Sequence, residues 1–190
     1  MATKVNTGDI GIASGVNFLD VYIGEKKIGE IEEQDWMEVN AFREGTFNFT
    51  GDEQTVTELK TENGTVFAST TKDGTYGFEG DGADVGVEAS KFLLKMEDLT
   101  TTTATGFLAD KRAIKYNKIA NLANVKVRLR FEQGVYDSIV YPNATVSSRL
   151  QGSGSAEDSL SIAIKCSAAH SNDPILGEGG GLYLLVDAKE

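Results

Sequence analysis

The chain has 190 residues, of which 40% are apolar, 21 are glycine and only 2 are proline. This length and composition suit one domain with a real core, and glycine-made turns are typical of an all-β protein with many hairpins. A formal net charge of −11 repels phosphate backbones and argues against nucleic-acid binding through counterion release. We find no apolar run near the ~18 residues of a membrane span and no apolar core of a secretory signal, so we expect a protein folded in a cytoplasm.

The N-terminal residues predict an arm followed by paired strands. Residues 1–17 are polar and punctuated by glycine, which indicates an extended N-terminal arm, and 18–190 are expected to form a single domain. Apolar and polar residues alternate over 19–23 and predict a strand, because successive side chains point to opposite faces of a strand. A turn then leads to a second predicted strand over 28–31.

A hairpin and one helix are predicted next. Asn63-Gly64 joins two β-rich runs within 55–72, and both residues of this pair tolerate the positive φ of a hairpin turn. The spacing of apolar residues over 84–96 predicts a helix, with Asp81 or Asp84 as its N-cap. Its apolar stripe comprises Val85, Ala89, Phe92, Leu93 and Met96.

Three predicted strands follow one another between residues 124 and 169. In the first, every odd residue over 125–131 is apolar and every even residue is a cation. One face of this strand is therefore expected to be buried and the other wet and basic. A second strand follows over 136–147. The core of this meander is predicted to include Val125, Val127, Leu129, Phe131, Leu160, Ile162 and Ile164.

These elements predict a mainly β fold, a two-sheet β-sandwich or barrel with one flanking α-helix and a long loop. Residues 109–122 fit a helix or a strand equally well, and 182–186 predict a C-terminal strand after a glycine-rich hinge.

Charge is distributed unevenly along the chain. Residues 30–38 hold five acids and no base, whereas 110–130 hold seven bases and one acid. Opposite patches in different segments suit head-to-tail self-association, and an uneven but unassociated surface is the alternative. The residues expected to meet between subunits are Glu30, Glu32, Glu33 and Asp35 on one side and Lys126, Arg128 and Arg130 on the other.

Residue types that support catalysis or metal binding are scarce. His170 is the only histidine, which excludes a multi-histidine metal site, and it follows the last meander strand, where we expect it at the surface. Cys166 is the only cysteine, and its apolar register predicts a small buried hydrophobe. We therefore predict a protein that is not an enzyme, with no catalytic residue, metal site or cofactor.

One C-terminal pattern carries a resemblance. A strand with a Tyr-Pro pair over 141–148 is followed by a polar loop ending in acid and serine, and then by alternating apolar residues over 160–166. Strand, strand and helix over 66–96 precede it. In this order of elements the chain resembles the major tail tube proteins of long-tailed bacteriophages. The resemblance implies a structural virion protein with a β-sandwich or barrel and a flanking helix, assembled into hexameric rings that stack into a tube.

The resemblance also implies partners and a location. Copies of the chain would contact one another head to tail, and other tail proteins, such as tape measure and tail terminator, would bind the tube. DNA would pass through the lumen during ejection without specific binding, which an acidic wall favours. The location would be the virion tail, assembled in the host cytoplasm without a membrane. The alternatives are an all-β ligand- or carbohydrate-binding module, for which 8% aromatic residues supply a poor stacking surface, and the tube of a contractile injection system.

Overall fold

The structure is a computed structural model that describes residues 13–52, 55–60, 62–63, 66–72, 75–84, 86–99, 113–115, 120–134, 136–152, 161–173, 175, 177–180 and 182–185. Within these ranges the first eight strands are β1 (Ala13–Tyr22), β2 (Met37–Phe42), β3 (Asn48–Gly51), β4 (Thr55–Lys60), β5 (Val66–Lys72), β6 (Tyr76–Asp84), β7 (Glu97–Leu99) and β8 (Ala113–Lys115), and the helix α1 (Val87–Leu93) lies between β6 and β7. The later strands are β9 (Ala120–Gly134), β10 (Ser138–Gln151), β11 (Ser161–Ala168), β12 (His170–Asp173), β13 (Gly177–Gly180) and β14 (Tyr183–Leu185).

Six antiparallel strands form a closed cycle of pairings. The sheet runs in the order β11-β10-β9-β1-β2-β6, and β6 also pairs with β11, so the last strand returns to the first. β3 pairs with β6 on the side away from β11, and β14 pairs with β10. A closed cycle satisfies both edges of its strands, and we call these six strands the barrel. The predicted mainly β fold with one helix is confirmed.

The predicted meander is β9, β10 and β11. Val125, Val127 and Leu129 are fully buried, and Phe131 is partly buried against the core. Ile162 and Ile164 are buried as predicted, and Leu160 lies outside the described residues.

A left-handed residue sets which side of β9 faces inward. Asn124 has φ +57°, which asparagine tolerates better than most residues. Before it the buried positions are even, Ala120 and Leu122, and after it they are odd, beginning with Val125. The pairing of β9 with β10 shifts register in the same region. Such an irregularity bends the strand, as closure of a barrel requires.

The helix is shorter than predicted. It covers Val87–Leu93 instead of 84–96, because Asp84 still belongs to β6 and pairs with Asn40 of β2. Gly86 is the N-cap, so the prediction of Asp81 or Asp84 was wrong. The predicted stripe faces the core where the structure describes it: Ala89 and Leu93 are buried, and Phe92 and Met96 pack against the core.

Two N-terminal predictions need correction. β1 begins at Ala13, which pairs with Gly134, so residues 13–17 belong to the sheet and not to the arm; residues 1–12 lie outside the described ranges. The strand predicted over 28–31 is instead a single 3₁₀ turn, Ile28–Glu30. The Lys27 amide donates to the Glu30 carboxylate at 3.2 Å, and this local bond favours a turn over a strand.

The remaining elements include three separate two-stranded ribbons, β4–β5, β7–β8 and β12–β13. β4–β5 is the predicted hairpin, and β14 is the predicted C-terminal strand. Of the ambiguous stretch 109–122, the parts described are strands, β8 and the start of β9. In the described part of the chain we find no helix with the length and apolar character needed to cross a membrane.

Candidate functional site

The outer face of β9 carries three cations, Lys126, Arg128 and Arg130, which we call the cationic strip. They point outward because the odd-numbered neighbours fill the core. The paired strand β1 places an aromatic residue opposite two of them, Tyr22 opposite Lys126 and Phe18 opposite Arg130. The Lys126 ammonium lies 5.5 Å from the Tyr22 ring centroid, and the Arg130 guanidinium 4.3 Å from that of Phe18. Both distances allow a cation–π attraction.

A buried carboxylate lies between the two arginines. Asp20 of β1 is only 1% exposed and pairs in register with Arg128. Arg128 Nε donates to Oδ2 of Asp20 at 2.7 Å, and Arg130 Nη2 donates to Oδ1 at 2.9 Å. Arg130 Nε lies 2.8 Å from Oδ2 but makes no hydrogen bond of acceptable geometry, so this contact is an ion pair only. A buried charge requires such pairing to remain ionised.

Residues 23–36, which we call the strap, connect β1 to β2 and fold over the strip. Arg128 donates from both Nη atoms to the two carboxylate oxygens of Glu33, each at 2.7 Å. This bidentate geometry is the strong form of an arginine–carboxylate pair. The guanidinium also lies 4.9 Å from the ring centroid of Trp36. At the start of the strap, Lys126 Nζ donates to the Gly24 carbonyl at 3.1 Å.

The electrostatic shifts follow from these contacts. The hydrogen bond to Arg128 lowers the pKa of Glu33, and the same bond raises the pKa of Arg128. Burial would lower the pKa of Arg130, but hydrogen bonds with Glu38 and Asp20 outweigh it and the pKa is raised. Burial lowers the pKa of Lys126. These shifts in pKa favour the charged forms of Glu33, Arg128 and Arg130 in the folded protein.

Several of the acids and bases predicted to meet between subunits are paired within one chain. Glu33 binds Arg128 within the same chain, 95 residues away in sequence, and Glu38 of β2 binds Arg130. Asp35 pairs with Lys26 inside the strap at 2.6 Å. Arg128 and Arg130 are therefore paired with acids of the same chain, because β1 lies between β9 and β2 in the sheet and brings them together.

The other two acids predicted for the interface, Glu30 and Glu32, remain exposed and make local bonds. Glu30 accepts from the Lys27 amide, and Glu32 accepts from Gln34 Nε2 at 2.6 Å. Sequence reasoning missed Asp20 as the centre of the site. Its signal was an acid on the outward face of a predicted strand, but the pairing of that strand with β9 has no local signature.

Cys166 and His170 lie away from this cluster. Cys166 is fully buried, as predicted, and burial raises its pKa to about 12. His170 is exposed on β12, with Nε2 3.0 Å from Asn172 Oδ1. Across the described ranges, no group of three or more histidine, cysteine, aspartate or glutamate side chains is arranged to hold a metal ion.

A groove of about 500 Å³ crosses the outer face of β6, β11 and β10. Its lining is polar and of mixed charge, with Glu79 and Asp81 on β6, Lys165 on β11 and Arg149 on β10. None of the residues that line it is aromatic, so it offers no platform for stacking sugar rings.

No protein-family model matches the chain, and neither does any curated protein. A function therefore has to be argued from the fold and from the surfaces that it leaves unpaired.

Proposed function

We propose that this chain is a structural subunit that self-associates into rings, and that the rings stack into a tube of the kind formed by phage tail tube proteins. The rings would be hexameric, and the tube would conduct DNA during ejection. The sequence resemblance motivates the proposal, and the β4–β5 ribbon is the structural observation that carries it.

The β4–β5 ribbon branches from the barrel at one point. It is inserted between β3 and β6, where Gly51 still pairs with Tyr76. At the branch the Asp52 amide donates to the Thr75 carbonyl at 3.2 Å, and Thr75 Oγ1 donates to the Asp52 carboxylate at 3.2 Å. Both chain ends of the ribbon therefore leave the barrel together, which makes the ribbon an appendage and not part of the closed cycle.

Within the described residues, β4 and β5 pair only with each other. Their 6 and 7 residues span roughly 20 Å at the usual rise of a strand. A lone two-stranded hairpin is at best marginally stable in water. Neither strand has a second strand partner among the described residues, and strand addition to a neighbouring sheet would supply one. A second copy of the chain supplies such a sheet wherever many copies are present.

Exposed apolar side chains accompany the open edge of β3. Phe49 is 47% exposed and continues an aromatic cluster that reaches the core through Phe47 and Phe78. Tyr76, which is paired with Gly51 at the end of β3, is 51% exposed. Apolar groups left open beside an unpaired strand are suited to burial in an interface. This surface lies at the base of the ribbon, so one neighbouring subunit can engage both.

The charge arrangement is compatible with a conduit for DNA. The arginines of the strip are neutralised by Asp20, Glu33 and Glu38 of the same chain. With a net charge of −11, a tube of such subunits would carry an acidic surface that does not retain a polyanion.

The test removes the ribbon and leaves the barrel intact. Replacing residues 53–74 with Asn-Gly, which favours a tight hairpin turn, connects Asp52 to Thr75 through that two-residue turn. Sedimentation velocity and negative-stain microscopy over a range of concentrations should show rings or tubes for the wild type and a folded monomer for the shortened chain. Asn63→Gly, which keeps the ribbon and alters only its turn, is the matched control and should assemble. A wild type that stays monomeric at every concentration would refute self-association, and rings formed without the ribbon would refute its role.

A further inference from the structure

The two halves of the strap are attached to the barrel in different ways. The first half is held at its backbone: Lys126 binds the Gly24 carbonyl, and the Ile28 amide donates to Oδ2 of Asp173 at 3.3 Å. The end of the Ile175 side chain packs where a Cβ on residue 29 would lie, so a larger residue at this position would have to displace it. These contacts involve one barrel strand, β9, and the β12–β13 ribbon.

The second half of the strap contacts the barrel through two side chains, Arg128 of β9 and Tyr22 of β1, and its only ion pair with the barrel in the described residues is with Arg128. Glu33 and Trp36 both contact Arg128, through the bidentate ion pair and through the ring face. Trp36 also meets the edge of Tyr22, with ring centroids 6.2 Å apart. Asp35 binds Lys26, which ties this half to the first half and not to the barrel.

No residue of the strap is buried, and the Glu33 side chain is 80% exposed. Exposed ion pairs contribute little to stability and are screened by salt. Segments with few buried apolar contacts open locally at a lower free energy than the core. The closed cycle of strands beneath does not include the strap, so the strap can detach while every strand pairing persists.

We propose that the second half of the strap, residues 31–36, is a latch that Arg128 holds by charge and that opens as a unit at high ionic strength without unfolding of the barrel. When it opens, Arg128 loses Glu33 and keeps Asp20, and the outer face of the strip becomes accessible. The exposed guanidinium is then free to bind a carboxylate outside the strap. This inference is independent of tube formation.

Two residues that occur once in the chain report on the two parts separately. Trp36 is the only tryptophan and lies in the latch, and Cys166 is the only cysteine and is fully buried in the barrel. Acrylamide quenching of Trp36 measures opening of the latch. Reaction of Cys166 with a thiol reagent measures opening of the barrel.

The experiment titrates sodium chloride from low salt to about 1 M, where the screening length is about 3 Å. For the wild type, the Trp36 quenching constant should rise about twofold or more while Cys166 stays unreactive. Glu33→Gln should show the high quenching constant already at low salt and little further change. Glu32→Gln, which removes a neighbouring charge that does not touch the barrel, should behave like the wild type.

Three results would overturn the proposal. The first is a wild-type quenching constant that salt does not change. The second is a Glu33→Gln variant that matches Glu32→Gln. The third is Cys166 reactivity that rises in parallel with quenching, which would mean that salt unfolds the barrel. Arg128→Lys keeps the charge but loses the bidentate geometry, so its quenching constant at low salt should lie between those of the wild type and Glu33→Gln.

Discussion

Asp20→Asn should be the most informative single substitution in the cluster. It keeps the shape of the side chain and removes the charge that two arginines share. A hydrogen bond to a charged group contributes about 1.5–3 kcal/mol, and removing one partner of a fully buried ion pair costs about 3–5 kcal/mol. Arg128 and Arg130 are 14% and 30% exposed and retain Glu33 and Glu38, so the full penalty does not apply. We expect a loss of about 2–3 kcal/mol in the free energy of unfolding.

Urea unfolding followed by far-UV circular dichroism measures this loss, with the slope of the transition compared between variants. Glu79→Gln is the matched control: it makes the same carboxylate-to-amide change at a side chain 49% exposed and 3.9 Å from Lys165. We expect it to change stability by no more than about 0.5 kcal/mol. If Asp20→Asn cost no more than this control, Asp20 would not be the structural centre of the strip.

Two further predictions test the core and the latch. Leu129→Ala should lower the free energy of unfolding by about 2–5 kcal/mol, because Leu129 is fully buried between Leu19 and Ile139. Leu184→Ala, at a side chain 43% exposed, should cost about 0.5 kcal/mol. Equal losses in urea unfolding would show that the register of β9 is wrong. The pKa of Glu33 is lowered from its ordinary 4.5, so its ion pair stabilises the latch above that pH and is lost as the pH falls through the lower folded value. Acrylamide quenching of Trp36 should therefore rise only below about pH 4.5. Opening of the latch at pH 6 would contradict the assignment.

The parts of the fold that sequence predicted well are those encoded by a local period. Val125, Val127 and Leu129 alternate with cations, and a period of two leaves one choice of buried face. The β4–β5 hairpin was predictable because Asn-Gly between two β-rich runs is a strong sequence signal for a hairpin turn. Cys166 was placed in the core by the same alternation on β11. In each case the information lies within a few residues.

The predicted element boundaries were wrong where a contact between residues distant in sequence, or a local hydrogen bond at the end of an element, decided the structure. Asp84 and its neighbours fit a helical stripe, but pairing with β2 extends β6 through Asp84 and delays the helix to Val87. The apolar residues over 28–31 could have made a strand, but no strand is available to pair with them once β1 is flanked by β2 and β9. The helix and strand boundaries therefore depend on the closure of the barrel.

The charged site could be predicted only in part, and this limit changes how assembly should be understood. The sequence shows that residues 30–38 are acidic and that the even positions of β9 are basic, but it does not show that β1 brings them together in one chain.

Reversing Lys126, Arg128 and Arg130 to glutamate would place new carboxylates beside Asp20, with like charges in a poorly hydrated site. We expect that variant to lose the fold of the strip, so its failure to assemble would say nothing about contacts between subunits. Any association has to use surfaces left unsatisfied within the chain, and the β4–β5 ribbon with the open side of β3 meets that requirement. Contacts of this kind rest on backbone hydrogen bonds and apolar burial, which salt screens far less than exposed ion pairs. If the proposed tube forms, salt should therefore open the latch at concentrations that leave the tube intact.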